Sequence, residues 1–159
     1  MLLACIALPA AAWQAQPIAA PVLPKPVAPP PMSRQERARL AAQDAEIIAA
    51  ARQVMALVDA GRIDEVWEGA SPAMKRLVPR GEFVQELSLD RKRLAAVLSR
   101  GTPVVGRERY AAGGRVPQGE YLNVAMPTRF AGAQRPVREL VSFRLDEDRV
   151  WRVSGYSVR

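Results

Sequence analysis

The stretch GEYLNVAMPTRF, residues 119–130, alternates. Leu122, Val124, Met126 and Phe130 fall on one side, and Tyr121, Asn123 and Arg129 on the other. A period of two over this length is the signature of a half-buried strand. Pro127 lacks the N–H a ladder needs, so the strand must lie at an edge or carry a bulge there. VRELVSFRL repeats the pattern, with Val137, Val141, Phe143 and Leu145 inward; DEDR is a turn, and VWRVSGYSVR is the returning strand of a C-terminal hairpin. In that last strand Trp151 and Val153 face one way and Tyr156 and Val158 the other. One extra residue at Ser154-Gly155 reunites all four, so a bulge is expected there, with Gly155 turning Tyr156 onto the face of Trp151.

Upstream of residue 100 the period is helical. Ser33 and Glu36 have capping-box spacing, and Leu40, Ile47, Ile48, Ala51, Val54, Met55 and Val58 recur at helical intervals before Gly61. A short turn follows in IDEVWEGA. Ser71-Pro72 has the form of an N-cap with proline at the first helical position. EFVQELSLDRKRL is a third helical pattern, with Phe83, Val84 and Leu87 inward; by itself it runs on to Ser99. Helices first and an antiparallel meander after them imply an α+β domain, with the N-terminal helices packed on a curved antiparallel sheet of about four strands.

Residues 33–159 form that single domain. Residues 1–16, MLLACIALPAAAWQAQ, resemble a secretory signal peptide with A-x-A-like cleavage points, although a basic n-region is missing. The run is too short for a membrane span, and Pro9 interrupts it. LLAC matches a lipoprotein cleavage box with Cys5 as the lipidated residue, against which stand the apolar Ile6, Ala7 and Leu8. Residues 17–32 are dense in proline with a single charge, Lys25, and read as a semi-rigid polyproline spacer. A periplasmic or secreted domain is the expectation, with a membrane tether as the variant that lipidation at Cys5 would give.

Composition narrows the chemistry. The chain has no histidine and one cysteine, Cys5, which excludes His-based triads and His-ligated metal, and leaves no thiol chemistry in the domain. No cofactor motif is present, since AAGGRVPQGEY has neither a dinucleotide nor a P-loop form. The net charge is +7, with arginine far outnumbering lysine, which favours an anionic neighbour. RGEFVQELSLDRKR and GRERY read as solvated faces. They lack the clustered aromatics of single-strand binders, so nucleic acid is not the expected partner. An envelope protein or an anionic envelope component is.

ALVDAGRIDEVWEGASPAMK, RKRLAAVLSR, PQGEY, the Glu139 of VRELVSF and the closing WRVSGY together resemble the bacterial exported family called domain of unknown function 4019. The resemblance spans residues 49–156 and implies a small exported α+β domain of the cystatin-like or NTF2-like cone kind. Phe83 stands where that family tends to have Trp. Arg93 and Ala95 stand where it tends to have Pro and Gly, which implies that the third helix breaks at about Leu94 and a strand begins there.

Glu139 is the charge that asks for an explanation, because alternation puts it between Val137 and Val141 on the apolar face. Three readings are open. It is an ion pair with Arg100 or Arg91, or a cavity acid for a cationic or hydroxylated ligand, or a general base with Tyr121, Tyr156 or Tyr110 as donor. Asp59 reads as a helix-end residue that fixes the next turn, and Trp67 and Trp151 as core anchors. The corresponding functions are a non-enzymatic binding or protein-interaction module, a small cone-fold enzyme using Glu139 and a tyrosine, and an immunity-type protective partner.

Overall fold

A computed structural model describes residues 31–159. The leader, Cys5 and nearly all of the Pro-rich spacer lie outside the described residues. Helix α1 (Arg34–Asp59) starts at a complete capping box: the Glu36 backbone N–H donates to Ser33 Oγ, and the Ser33 N–H to Glu36 Oε2. It ends where Gly61 takes φ +74°, a conformation that glycine adopts without strain. Helices α2 (Ile63–Glu68) and α3 (Pro72–Leu77) are short, 6 residues each, the latter capped by Ser71. Helix α4 (Arg80–Leu94) stops at Ala95, which sits at φ 57°, ψ −149°. The chain then enters strand β1 (Val97–Arg100). The break at Leu94 therefore prevails over a helix running on to Ser99. None of the described helices is long and apolar enough to cross a membrane.

Strands β2 (Val104–Tyr110), β3 (Gly119–Phe130), β4 (Val137–Leu145) and β5 (Trp151–Val158) complete an open antiparallel sheet of five strands rather than about four. β1 and β2 share one lane against β3, β2 pairing its first half and β1 its second. GRERY, expected as a solvated face, is part of β2.

Pro127 is neither at an edge nor in a bulge of its own strand. β3 is central, with β4 on its other side. What accommodates the proline is the break between β1 and β2 opposite it, where Gly101 donates to the Pro127 carbonyl at 2.8 Å. A Cβ on Gly101 would stand 2.7 Å from the proline ring, so only glycine lets the lane pass this close.

The inner sheet face carries Leu122, Val124, Met126, Val141, Phe143 and Val153, all buried against Ile47, Ala51, Met55 and Val58 of α1 and Phe83 and Leu87 of α4. Burial of this apolar surface is the main stabilising term. In the last hairpin Ser142 pairs with Gly155 but Phe143 with Val153, so Ser154 is the extra residue. Val153 and Tyr156 therefore face inward together. Glycine is not needed for this: a Cβ on Gly155 would meet Ser142 Cβ at an ordinary 3.8 Å. The bulge reunites the face, not the freedom of Gly155.

Candidate functional site

Glu139 lies on the inner face of β4 and has no exposed surface. Its register partner on β3 is Met126, and Val158 on β5. Each carboxylate oxygen accepts two hydrogen bonds. Oε2 takes Arg100 Nε at 2.7 Å and Thr128 Oγ1 at 2.8 Å; Oε1 takes Arg100 Nη2 at 3.0 Å and the Tyr156 hydroxyl. A buried carboxylate satisfied this fully is stable as an anion. Burial opposes its ionisation, but the hydrogen bonds from Arg100, Tyr156 and Thr128 outweigh that and hold the carboxyl below its ordinary value. Burial, and then the charge of Glu139, push the Tyr156 hydroxyl far above its usual range.

The network continues outward. Arg100 presents its other edge to Asp59, with Nη1 at 2.8 Å and Nη2 at 3.0 Å, and Asp59 also accepts from Arg91 Nη2 at 2.9 Å. Arg91 stacks on the Phe130 ring, 4.7 Å from its centroid. One guanidinium thus joins the inner sheet face to the C-terminal end of α1. Of the two arginines expected for Glu139, Arg100 meets it and Arg91 stands one step away, because α4 delivers Arg91 to the helix end instead. Asp59 does not fix a turn; it bridges the two arginines. Asp59 and Arg91 line an open cleft of about 570 Å³ with Ser88, where the network meets solvent.

The tyrosines divide. Tyr156 joins Glu139; Tyr121 and Tyr110 do not, because β3 and β2 point them to the opposite face. There Tyr121 donates to the Pro117 carbonyl at 2.7 Å and packs edge-on to Tyr110 at 5.2 Å. Trp67 anchors α2 through Nε1 to the Val78 carbonyl at 3.0 Å. Trp151 is half-buried: it packs on the core and also lines a groove of about 810 Å³ along α1, with Met32, Leu40, Ile47, Ala50 and Leu122. Glu36, Arg39, Gln43 and Glu46 line it as well. The groove exists because α1 runs on past the sheet, so its first three turns are largely exposed.

Sequence reasoning missed a second buried polar cluster. Asp146 Oδ1 accepts from Ser71 Oγ at 2.6 Å and Arg144 Nη1 at 2.7 Å, while Oδ2 accepts from Arg152 at 3.2 Å. It ties the cap of α3 to the β4–β5 hairpin, and the Ser71 N–H reinforces this by donating to Val153 O at 2.8 Å. Ser71 and Asp146 are 75 residues apart, so no local signal links them. Among the described residues no three His, Cys, Asp or Glu side chains gather into a metal-binding group.

The family described as "Protein of unknown function (DUF4019)" matches residues 50–156. The chain belongs to the DUF4019 family. No curated protein matches it, and no solved structure does. Within this DUF4019 domain the matched span holds every member of the Glu139 network, from Asp59 to Tyr156. The α1 turns that wall the groove precede it, apart from Ala50.

Proposed function

We propose that the chain is an exported protein of the bacterial envelope whose folded part is a non-enzymatic binding module. Its groove along α1 takes an apolar segment of another envelope protein, and the Pro-rich spacer holds the domain off its anchor. The groove carries this reading: an apolar trough of about 810 Å³ with an aromatic wall, Trp151, and polar residues along it has the character of a peptide-binding site. The apolar leader and the proline spacing of residues 17–32 support export and tethering. We read the open sheet, bent at the Ser154 bulge and wrapped on α1, as a cone of the cystatin-like or NTF2-like kind.

Against an enzymatic reading stands the state of Glu139. A general base needs a free lone pair, access to substrate and an affinity for protons near the working pH. Glu139 has all its acceptor sites engaged, no solvent contact and a lowered proton affinity.

The test is capture from envelope extract with the full chain as bait, comparing wild type, Leu40→Glu in the groove and Glu139→Gln in the network. The expected result is that wild type and Glu139→Gln retain the same proteins and Leu40→Glu loses them. Equal capture by Leu40→Glu would refute the groove reading.

A further inference from the structure

The second face of the sheet, turned away from α1, α2 and α4, is covered by described residues only at one end. There α3 and residues 116–117 pack near Tyr121, Arg144 and Ser154. Along the uncovered part, strand register arranges the side chains in rows. Val104, Ala125, Leu140 and Ser157 form one row, and Pro127, Arg138 and Arg159 the next. Arg129 is two residues beyond Pro127 on the same face, diagonal to Arg138.

Three features of this face are unlike an ordinary solvated sheet. Among the described residues no element lies over this row of apolar side chains: Val104 is 66% exposed, Ala125 and Leu140 are partly exposed, and at the edge Leu98, thrown out by a slip in the β1 register, is 63% exposed. The adjoining row holds Arg138 and Arg159 beside Pro127, and Arg129, Arg138 and Arg159 meet no carboxylate in an ion pair among the described residues. Finally, the uncovered rows hold no Asp or Glu side chain; the first is Glu108, at the covered end. The β3–β4 hairpin also docks on the last turn of α4, with Gly132 N–H on the Leu94 carbonyl at 2.9 Å, which brings the basic Lys92 and Arg93 alongside.

We propose that this face is a docking surface for an anionic lipid bilayer. The apolar row lies at the boundary between headgroups and acyl chains, and Arg129 and Arg138 bind lipid phosphates. Arginine forks match phosphate oxygens, and a stripe of cations beside a stripe of exposed apolar residues is the pattern of interfacial binding. The face is an uncovered sheet rather than a cleft, which suits a planar partner. It has no aromatic side chain among its uncovered rows for base stacking, which disfavours single-stranded nucleic acid. This surface is separate from the groove and goes beyond the binding role proposed for it, so either can fail without the other.

The experiment is vesicle flotation of the full chain, using phosphatidylcholine vesicles with and without about 30% phosphatidylglycerol. The apolar leader adds the same lipid affinity in every arm, so the quantity read is the increment due to anionic lipid. The increment is expected to be large for wild type at about 0.1 M salt and to collapse at about 1 M. Arg129→Gln with Arg138→Gln should lower it roughly thirtyfold, about fivefold per arginine. Arg34→Gln with Arg52→Gln removes the same charge from α1 and should lower it less than about threefold, since charges beyond a Debye length from the surface are screened. Val104→Asp should weaken binding as well. Unchanged melting curves exclude unfolding. The proposal is overturned if wild type shows no preference for anionic vesicles, or if the α1 pair loses as much as the sheet pair. Binding to polyglutamate or an oligonucleotide without binding to vesicles overturns it too.

Discussion

Replacing Arg100 by leucine should leave Glu139 as an uncompensated buried anion. Two of its four hydrogen bonds, from Thr128 and Tyr156, would remain, but no positive charge would face it. Asp59 would suffer little, being part-exposed and still paired with Arg91 at 2.9 Å. Breaking a buried pair from one side costs about 3–5 kcal/mol, a large part of the roughly 5–15 kcal/mol by which domains are stable. With a urea slope of about 2 kcal/mol per M, the midpoint should fall by roughly 2 M at pH 7. Tryptophan fluorescence, with Trp67 and Trp151 as reporters, and circular dichroism read it out.

The pH dependence gives a second, independent check. In wild type the Glu139 carboxyl is held below its ordinary 4.5, so its contribution is present above that value and is lost as pH falls through the lowered one. Without Arg100, burial is no longer outweighed, and the carboxyl should rise above its ordinary value. The folded state then takes up the proton first, so Arg100→Leu should gain stability relative to wild type between pH 7 and pH 5. Adding Glu139→Gln should recover most of the loss and abolish the pH effect. A midpoint shift under about 0.5 M at pH 7, or an acid response parallel to wild type, would refute the reasoning.

Other outcomes rest on the same geometry. Tyr156→Phe removes a charged hydrogen bond and should cost about 1.5–3 kcal/mol in urea unfolding. The raised Tyr156 hydroxyl contributes stability that is whole below its ordinary 10.0 and is lost as pH rises beyond it, so this variant should flatten the alkaline limb of the stability profile. Ala95→Gly should raise stability by about 1 kcal/mol, because φ 57°, ψ −149° is a conformation nearly reserved for glycine; an unchanged melting temperature would count against that strain. Gly132→Ala would put a Cβ 2.5 Å from the Arg93 carbonyl oxygen and should cost more than about 2 kcal/mol in the same assay, whereas Gly155→Ala should be nearly neutral.

Local and periodic features were open to reading in one dimension. The Ser33–Glu36 box, the Ser71 cap, the alternation of residues 119–130 and 137–145 and the odd residue in VWRVSGYSVR each depend on neighbours within a few positions. Covalent geometry and the need to bury apolar area constrain them directly. Alternation also exposed Glu139, since a carboxylate in inward phase must find a partner. Which partner it finds was decided by tertiary structure. Arg100 reaches it because the short β1 lies against the end of β3, and Asp59 because α1 stops over that point; Arg91 is drawn aside to Asp59 and Phe130. The tolerance of Pro127 in a central strand, the meeting of Ser71 with Asp146 and the gathering of Arg129, Arg138 and Arg159 likewise rest on register between distant segments. An isolated chain carries the period of each strand but not the pairing that aligns one period with another. That alignment is set by how the helices and strands together hide the most apolar surface while leaving no buried charge unpaired.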